Sequence, residues 1–428
     1  MKNLIAAIVF ISLIFGLTPD AFCDGIKAGF AKTEITPPIG GQTTGYASAK
    51  PTDGVHDPLF AKVLILQSNE TVMAIVSWDS CIFNSPWLHD QMTNLEIDHL
   101  LLLNTHTHAG ANLNQMDFPS TENPWRKTVE QRTLQAIKEA KSNMFSAYFS
   151  AENGSIQLGY NRLVRQPEGH AITHFENPER IPYGPVDPSV GVIRITDDAG
   201  NNKVVLVCYA CHPVVLGPKN RKISADYPGV MCREVEKELG DGVQCIFIQG
   251  GAGDINPLIL ARTGDPELDF PLVEKMGTLL SKEVIKTFKR MEDVEGISKS
   301  FSYKSKTLET TNRWEPNSKI PISVTSLLIN QEIGIVTMPG EPFHKFQVDL
   351  RNKSNLPNTY FFGYCSDSPH DWARYIPDLE SAARSGYGAS DSTLVAVGTG
   401  ERLINQGLVM LYEMQGRLID KPQRIVGD

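Results

Sequence analysis

Residues 101–110, LLLNTHTHAG, run an apolar stretch straight into His106 and His108, two imidazoles one residue apart. The same kind of ending recurs elsewhere. VVLVCYACHP delivers His212, CIFIQGGAGD delivers Asp254 behind the turn Gly250-Gly251-Ala252-Gly253, and IGIVTMPGE delivers Glu341 behind Pro-Gly. Imidazoles and a carboxylate from separate strand ends match the donor set of a catalytic zinc, three or four N and O ligands with one position left for water. Alternation along an extended THTH segment puts His106 and His108 on one face. Either both chelate one ion, or one binds it while its neighbour serves as an outer donor or acid/base. Against this, a single buried histidine is more often a hydrogen-bonded core residue. The glycines can equally be a tight connection that exploits positive φ. What marks a site is the repetition of polar groups at the carboxyl ends of buried strands, where open α/β sheets place their ligand crevice.

The elements that must position these groups are visible as apolar runs at 61–67, 72–79, 99–106, 190–196, 203–210, 244–250, 324–330 and 333–340. Helical patterns, with charges on one face and apolar residues at three and four spacing, cover 125–144, 227–240 and 271–291. No fixed repeat, low-complexity tract or Pro/Gly/Ser linker divides the chain. These features predict one large α/β domain over 24–428, with a central mixed sheet or sheets flanked by helices and the site at the strand carboxyl ends. The loop-like stretch NLNQMDFPSTENPW (112–125), just after the histidines, is expected to shape a substrate mouth.

Composition narrows the function. A net charge of −9 over 428 residues, with no block of Lys and Arg, argues against nucleic-acid partners. Lys2, the apolar stretch Leu4–Leu17, Pro19 and Ala21-Phe22-Cys23 form a secretory signal peptide over 1–23, so the mature protein is expected to be secreted or periplasmic. A lipid anchor at Cys23 fits poorly with the Asp20-Ala21-Phe22 that precedes it. No later stretch approaches the roughly 20 apolar residues of a spanning helix, which leaves only peripheral membrane contact. Cys81, Cys208, Cys211, Cys232, Cys245 and Cys365 are too few for a disulfide framework, although one or two bridges remain open to them. Cys208-Tyr-Ala-Cys211 lies in a buried strand pattern, whereas a redox CxxC normally opens a helix.

Beyond these physical signals, the sequence resembles the neutral/alkaline ceramidases in their N-terminal catalytic domain. The likeness is carried by KAGFAKTEITPPIGGQTTGYA (27–47), DGVHDPLFAKVLIL (53–66), AIVSWD (74–79), NTHTHAG (104–110), GYNR (159–162) and CHPVVLG with ISADYPG (223–229). It continues in QGGAGDINP (249–257), MPGEPF (338–343) and ARYIPDLESAARSGYGAS (373–390), and so spans nearly the whole mature chain.

The resemblance implies a Zn2+ ion held by His106, His212, Glu341 and Tyr375. It also implies acid/base or transition-state support from His108, with Arg162 and Tyr387 lining the reacting centre. The chemistry implied is hydrolysis of an N-acyl amide, in ceramide or a related small-molecule or lipid substrate, by zinc-activated water. Asp254 would orient a zinc histidine or cap a helix. Two departures stand out. Asn256 in GDINP replaces the family's serine, removing a hydroxyl but keeping an amide that can donate. The chain also ends soon after LINQGLVMLYEM (403–414), which leaves no room for the C-terminal β-domain of full-length ceramidases. The rival functions are a metal-dependent esterase or phosphoesterase, and a non-catalytic ligand-binding protein on the same scaffold. The sequence leaves the oligomeric state open.

Overall fold

The computed structural model describes residues 25–47, 50–291, 300–371 and 373–418. The predicted signal peptide and Cys23 lie outside them.

Two sheets form the centre. The larger has nine strands in the spatial order Gln244–Gln249, Asn202–Tyr209, Ser189–Thr196, Phe145–Ser155, Ile26–Glu34, Phe60–Ser68, Thr71–Trp78, His99–Asn104 and Cys365–Ser366. It is mixed: Asn202–Tyr209 pairs parallel with Gln244–Gln249, and Thr71–Trp78 pairs parallel with His99–Asn104. The smaller sheet orders Phe301–Thr311, Lys319–Ile329, Ile333–Thr337 and Asn358–Phe362, with its last pair parallel.

Side-chain alternation explains why the central strands read as unbroken apolar runs. Val204, Leu206 and Cys208 face the smaller sheet, where they meet Leu327, Ile335 and Phe362. Val205, Val207 and Tyr209 face the other way, onto helices Asp226–Leu239 and Pro266–Phe288. Leu101 and Leu103 divide in the same manner from Leu100 and Leu102, which meet helix Trp125–Ser142. On the outer face of the smaller sheet lie helices His344–Lys353 and Thr399–Met414, through Phe346, Leu350, Leu403 and Leu411. The result is four layers, helix, sheet, sheet, helix, with the inner strands covered on both faces.

The helix expected from residue 271 begins at Pro266, where Asp265 accepts from the Glu267 amide, and Pro271 is accommodated inside it. Among the described residues no helix is long and apolar enough to cross a membrane. The six described cysteines are all free and buried. Cys208 sits within its strand, its thiol donating to the Phe361 carbonyl at 3.1 Å, and burial pushes that thiol up to about 12. A buried thiol held protonated in this way is not a redox CxxC nucleophile.

Candidate metal centre and cavity

Three of the predicted donors come together. His106 Nε2 and His212 Nε2 each lie 3.2 Å from Glu341 Oε2, all three side chains are buried, and the donor atoms lie within 4.8 Å of one another. Each arrives from the end of a different strand.

His106 follows strand His99–Asn104, but alternation is not what aims its ring. The strand stops at Asn104, and His106 takes a left-handed backbone with φ of 69°, which costs energy for any residue with a Cβ. The kink is held from outside, because the amides of Thr105 and His106 donate to Trp78 O and Ser80 O, both at 2.9 Å. It turns the His106 and His108 rings edge to face, with their Nε2 atoms 3.3 Å apart. His108 groups with His106 and Cys81, and does not join the His106–His212–Glu341 trio. Its Nδ1 lies beneath Gly45, where a Cβ would come within 2.3 Å of it, and Tyr46 meets the ring edge-on at 4.8 Å.

The tautomers follow from the backbone. His106 Nδ1 donates to Cys81 O at 2.7 Å and His212 Nδ1 donates to Ala252 O at 2.6 Å. A carbonyl only accepts, so each ring carries its proton on Nδ1 and presents the Nε2 lone pair to Glu341. Two lone pairs converging on a carboxylate oxygen call for positive charge between them. Burial opposes a proton on His106, yet Cys81 and Glu341 hold its imidazole well above the ordinary range. Burial, with Arg162 beside it, pushes His212 down to about 4. Burial and the two neighbouring histidines likewise hold His108 well below its usual value, so it is neutral. Burial would raise Glu341, but His106 overrides it and keeps the carboxylate ionised. A divalent ion with N and O preferences satisfies all three donors at once, so the residues fit zinc, with the carbonyl contacts as the outer support such ligands normally have.

Glu341 is delivered by a two-residue ladder in which Glu341–Pro342 pairs parallel with Tyr375–Ile376, placing Glu341 opposite Tyr375. The Tyr375 ring stacks on His212 at 6.5 Å and 20°. Burial and Glu341 keep its phenol well above the ordinary range. The glycine turn packs against the Glu341 segment. A Cβ on Gly251 would come within 2.8 Å of Phe343 O, and one on Gly253 within 2.5 Å of Glu341 O. None of Gly250, Gly251 and Gly253 has positive φ, so close backbone approach, rather than left-handed geometry, is what requires glycine here.

Arg162 is buried. It donates to Asn256 Oδ1 at 3.2 Å and to Gly253 O at 2.7 Å, with its guanidinium 5.2–5.6 Å from the ring centres of Tyr387, Tyr375 and Phe175. Asn256, on a short strand paired with Gly159–Asn161, therefore anchors Arg162 through its carbonyl oxygen. Asp254 touches neither His106 nor His212. It accepts from the His344 amide at 2.9 Å and from His344 Nδ1 at 2.6 Å, and from Asn161 Nδ2 at 2.8 Å, and so satisfies from a distance the first amide of helix His344–Lys353, whose own N-cap position is Phe343.

Next to the trio, which reaches it through His212, lies a cavity of ≈ 350 Å³, lined also by His108, Arg162, Asn256, Tyr375 and Tyr387. Tyr46, Phe175, Glu176 and Arg262 also line it, and sequence reasoning gave them no role. Tyr46 lies within KAGFAKTEITPPIGGQTTGYA, whereas Glu176 and Arg262 carry no local signal. The stretch 112–125 does not line the cavity. It backs the loop that does, with Gln115 accepting from the Gln42 amide and Phe118 against Gly41.

Residues 26–267 match the family model described as neutral/alkaline non-lysosomal ceramidase, N-terminal. The fold is similar to that of the neutral ceramidase from Pseudomonas aeruginosa, with TM-score 0.72 and 15% identity over 94% of this chain and 76% of that one. A ceramidase complexed with C2 is similar at TM-score 0.73 and 14% identity, over 94% of this chain and 77% of that one.

Proposed function

Because the chain belongs to the neutral/alkaline non-lysosomal ceramidase family, we propose that it is an exported zinc-dependent amidohydrolase that cleaves an N-acyl amide. The observation that carries this is the His106–His212–Glu341 trio, which reaches through His212 a cavity that a buried arginine also lines. Those three residues, with Tyr375 as the fourth donor, would hold the ion. Zinc there would acidify a water and polarise the amide carbonyl.

The chain's own groups complete the reaction. Arg162, fixed by Asn256 and Gly253, presents a permanent positive charge to the oxygen that becomes negative as the carbonyl is attacked. Tyr387 lines the same wall and offers a hydroxyl. His108, neutral and at the cavity edge, can take a proton and pass it to the departing amine. Tyr46 and the loop at Gly45 cover His108 and limit its exposure to water. Export by the N-terminal segment is part of the same proposal, and N-terminal sequencing of the protein recovered outside the cytoplasm tests it. Catalysis is tested by amine release from a panel of chromogenic amides, esters and phosphate esters with zinc-loaded protein. Turnover confined to esters or phosphates would replace the amide assignment, and no turnover by metal-loaded protein would favour a binding role.

A further inference from the structure

The cavity carries a charged wall that amide cleavage does not use. Arg262 Nη1 donates to three carbonyls, Val214 O at 3.0 Å, Val215 O at 2.9 Å and Ala261 O at 3.1 Å. Its Nε donates to both carboxylate oxygens of Glu176, at 2.9 and 3.1 Å. One end of the guanidinium is thus locked to the backbone. Among the described residues the other is held only by Glu176, whose side chain is 61% exposed, and an ion pair so open to water is weak and exchangeable. Arg162 adds a second guanidinium to the lining, while Glu341 is already engaged with two histidines. Two fixed guanidiniums facing one replaceable carboxylate favour a ligand that brings its own.

The rest of the lining sets the orientation of the ligand. The rings of Phe175, Tyr375 and Tyr387 surround Arg162, and so flank an acyl group whose carbonyl oxygen points at it. The amine part then meets the remaining lining, where Arg262 stands.

We infer that the substrate is an N-acyl amino acid, whose carboxylate takes the place of Glu176 on Arg262. This rests on the amidohydrolase reading above. Water adds to the acyl carbon, the C–N bond breaks and the proton goes to nitrogen, giving a carboxylic acid and a free amino acid. No oxidant or second substrate is needed.

The experiment measures amine release by zinc-loaded wild type, Arg262→Gln and Glu176→Gln. The substrates are N-acetyl and N-butyryl amino acids, their uncharged carboxamide counterparts, and long-chain ceramide in mixed micelles. The wild type should favour the anions over the matched neutral amides by about tenfold or more in kcat/KM. Arg262→Gln should collapse that ratio toward one, and Glu176→Gln, at an exposed position that folding tolerates, should lower KM for the anions several-fold. Equal rates on anionic and neutral amides, a preference for ceramide, or a ratio that survives Arg262→Gln would overturn the inference and leave the amidohydrolase reading standing. If no amide is cleaved, that reading fails, and calorimetry with N-acetyl amino acids decides the Arg262 site alone. Binding lost in Arg262→Gln supports the site, and no binding by the folded wild type removes it.

Discussion

Glu341 and Tyr375 stand directly opposite one another in a two-residue parallel ladder, joined also by the Glu341 amide donating to Arg374 O at 2.7 Å. Backbone pairing therefore brings the tyrosine to the His106–His212–Glu341 trio, and stacking on His212 orients its ring. Tyr375→Phe keeps the ring and removes the hydroxyl. If the hydroxyl completes the donor set, zinc affinity should fall by roughly 10- to 100-fold while thermal stability of the metal-free protein barely changes. An unchanged affinity in competition with a chelator would remove Tyr375 from the ligand set.

The glycine turn makes a prediction of the opposite kind, structural first and functional second. Gly253→Ala places a methyl group 2.5 Å from Glu341 O and 2.7 Å from Phe343 Cδ1. Relief requires the Glu341 segment to move, at a cost of about 1–3 kcal/mol, and the metal donor moves with it. Denaturant titration should show the loss of stability, and metal analysis should show reduced zinc occupancy. Full stability and full occupancy together would contradict the packing described.

The Asp254–His344 pair should leave a signature in pH. Burial would raise the Asp254 carboxyl, but His344 overrides it and holds it below the ordinary 3.8, while Asp254 outweighs burial to hold His344 above 6.5. The carboxylate's contribution is present above pH 3.8 and fades as pH falls through its depressed folded value. The imidazole's contribution is complete below pH 6.5 and fades as pH rises through its elevated folded value. The pair is therefore worth most between those limits. Asp254→Asn should cost about 3–5 kcal/mol near pH 5, and less at pH 9. A deficit independent of pH would show that capping alone, without the ion pair, accounts for the role of Asp254.

Asn256 is predicted to act through Arg162. Asn256→Ala removes the acceptor for Arg162 Nη1 and should lower kcat by about 100-fold, with a smaller change in KM, because a loosened guanidinium stabilises the transition state less than the bound substrate. Asn256→Ser, which restores the family's residue, keeps an oxygen and should retain more activity than alanine. Equal loss in both variants would mean that the amide itself, rather than its contact with Arg162, is what matters.

The parts of this molecule that could be read in sequence are those where one side-chain pattern serves both faces. The central strands were legible because helices cover one side and a second sheet the other, leaving uninterrupted apolar runs. Strand Phe301–Thr311 escaped because most of it is exposed and its residues alternate with Lys, Ser and Thr. Helix His344–Lys353 is short and polar, and its start depends on Asp254 from far along the chain. Among the site residues, the histidines and Glu341 announced themselves at strand ends. The reason the histidine rings converge did not, because a left-handed His106 held by Trp78 and Ser80 breaks the alternation assumed for an extended segment. Arg262 and Glu176 reach the cavity from separate loops, and no local spacing could have joined them.

Elemental analysis of the purified protein beside His106→Ala and Glu341→Ala tests the central claim most directly. About one zinc per chain is expected in the wild type, and its loss from both variants, with folding intact by circular dichroism. A folded wild type that binds no zinc even when it is supplied, or variants that keep it, would contradict the account.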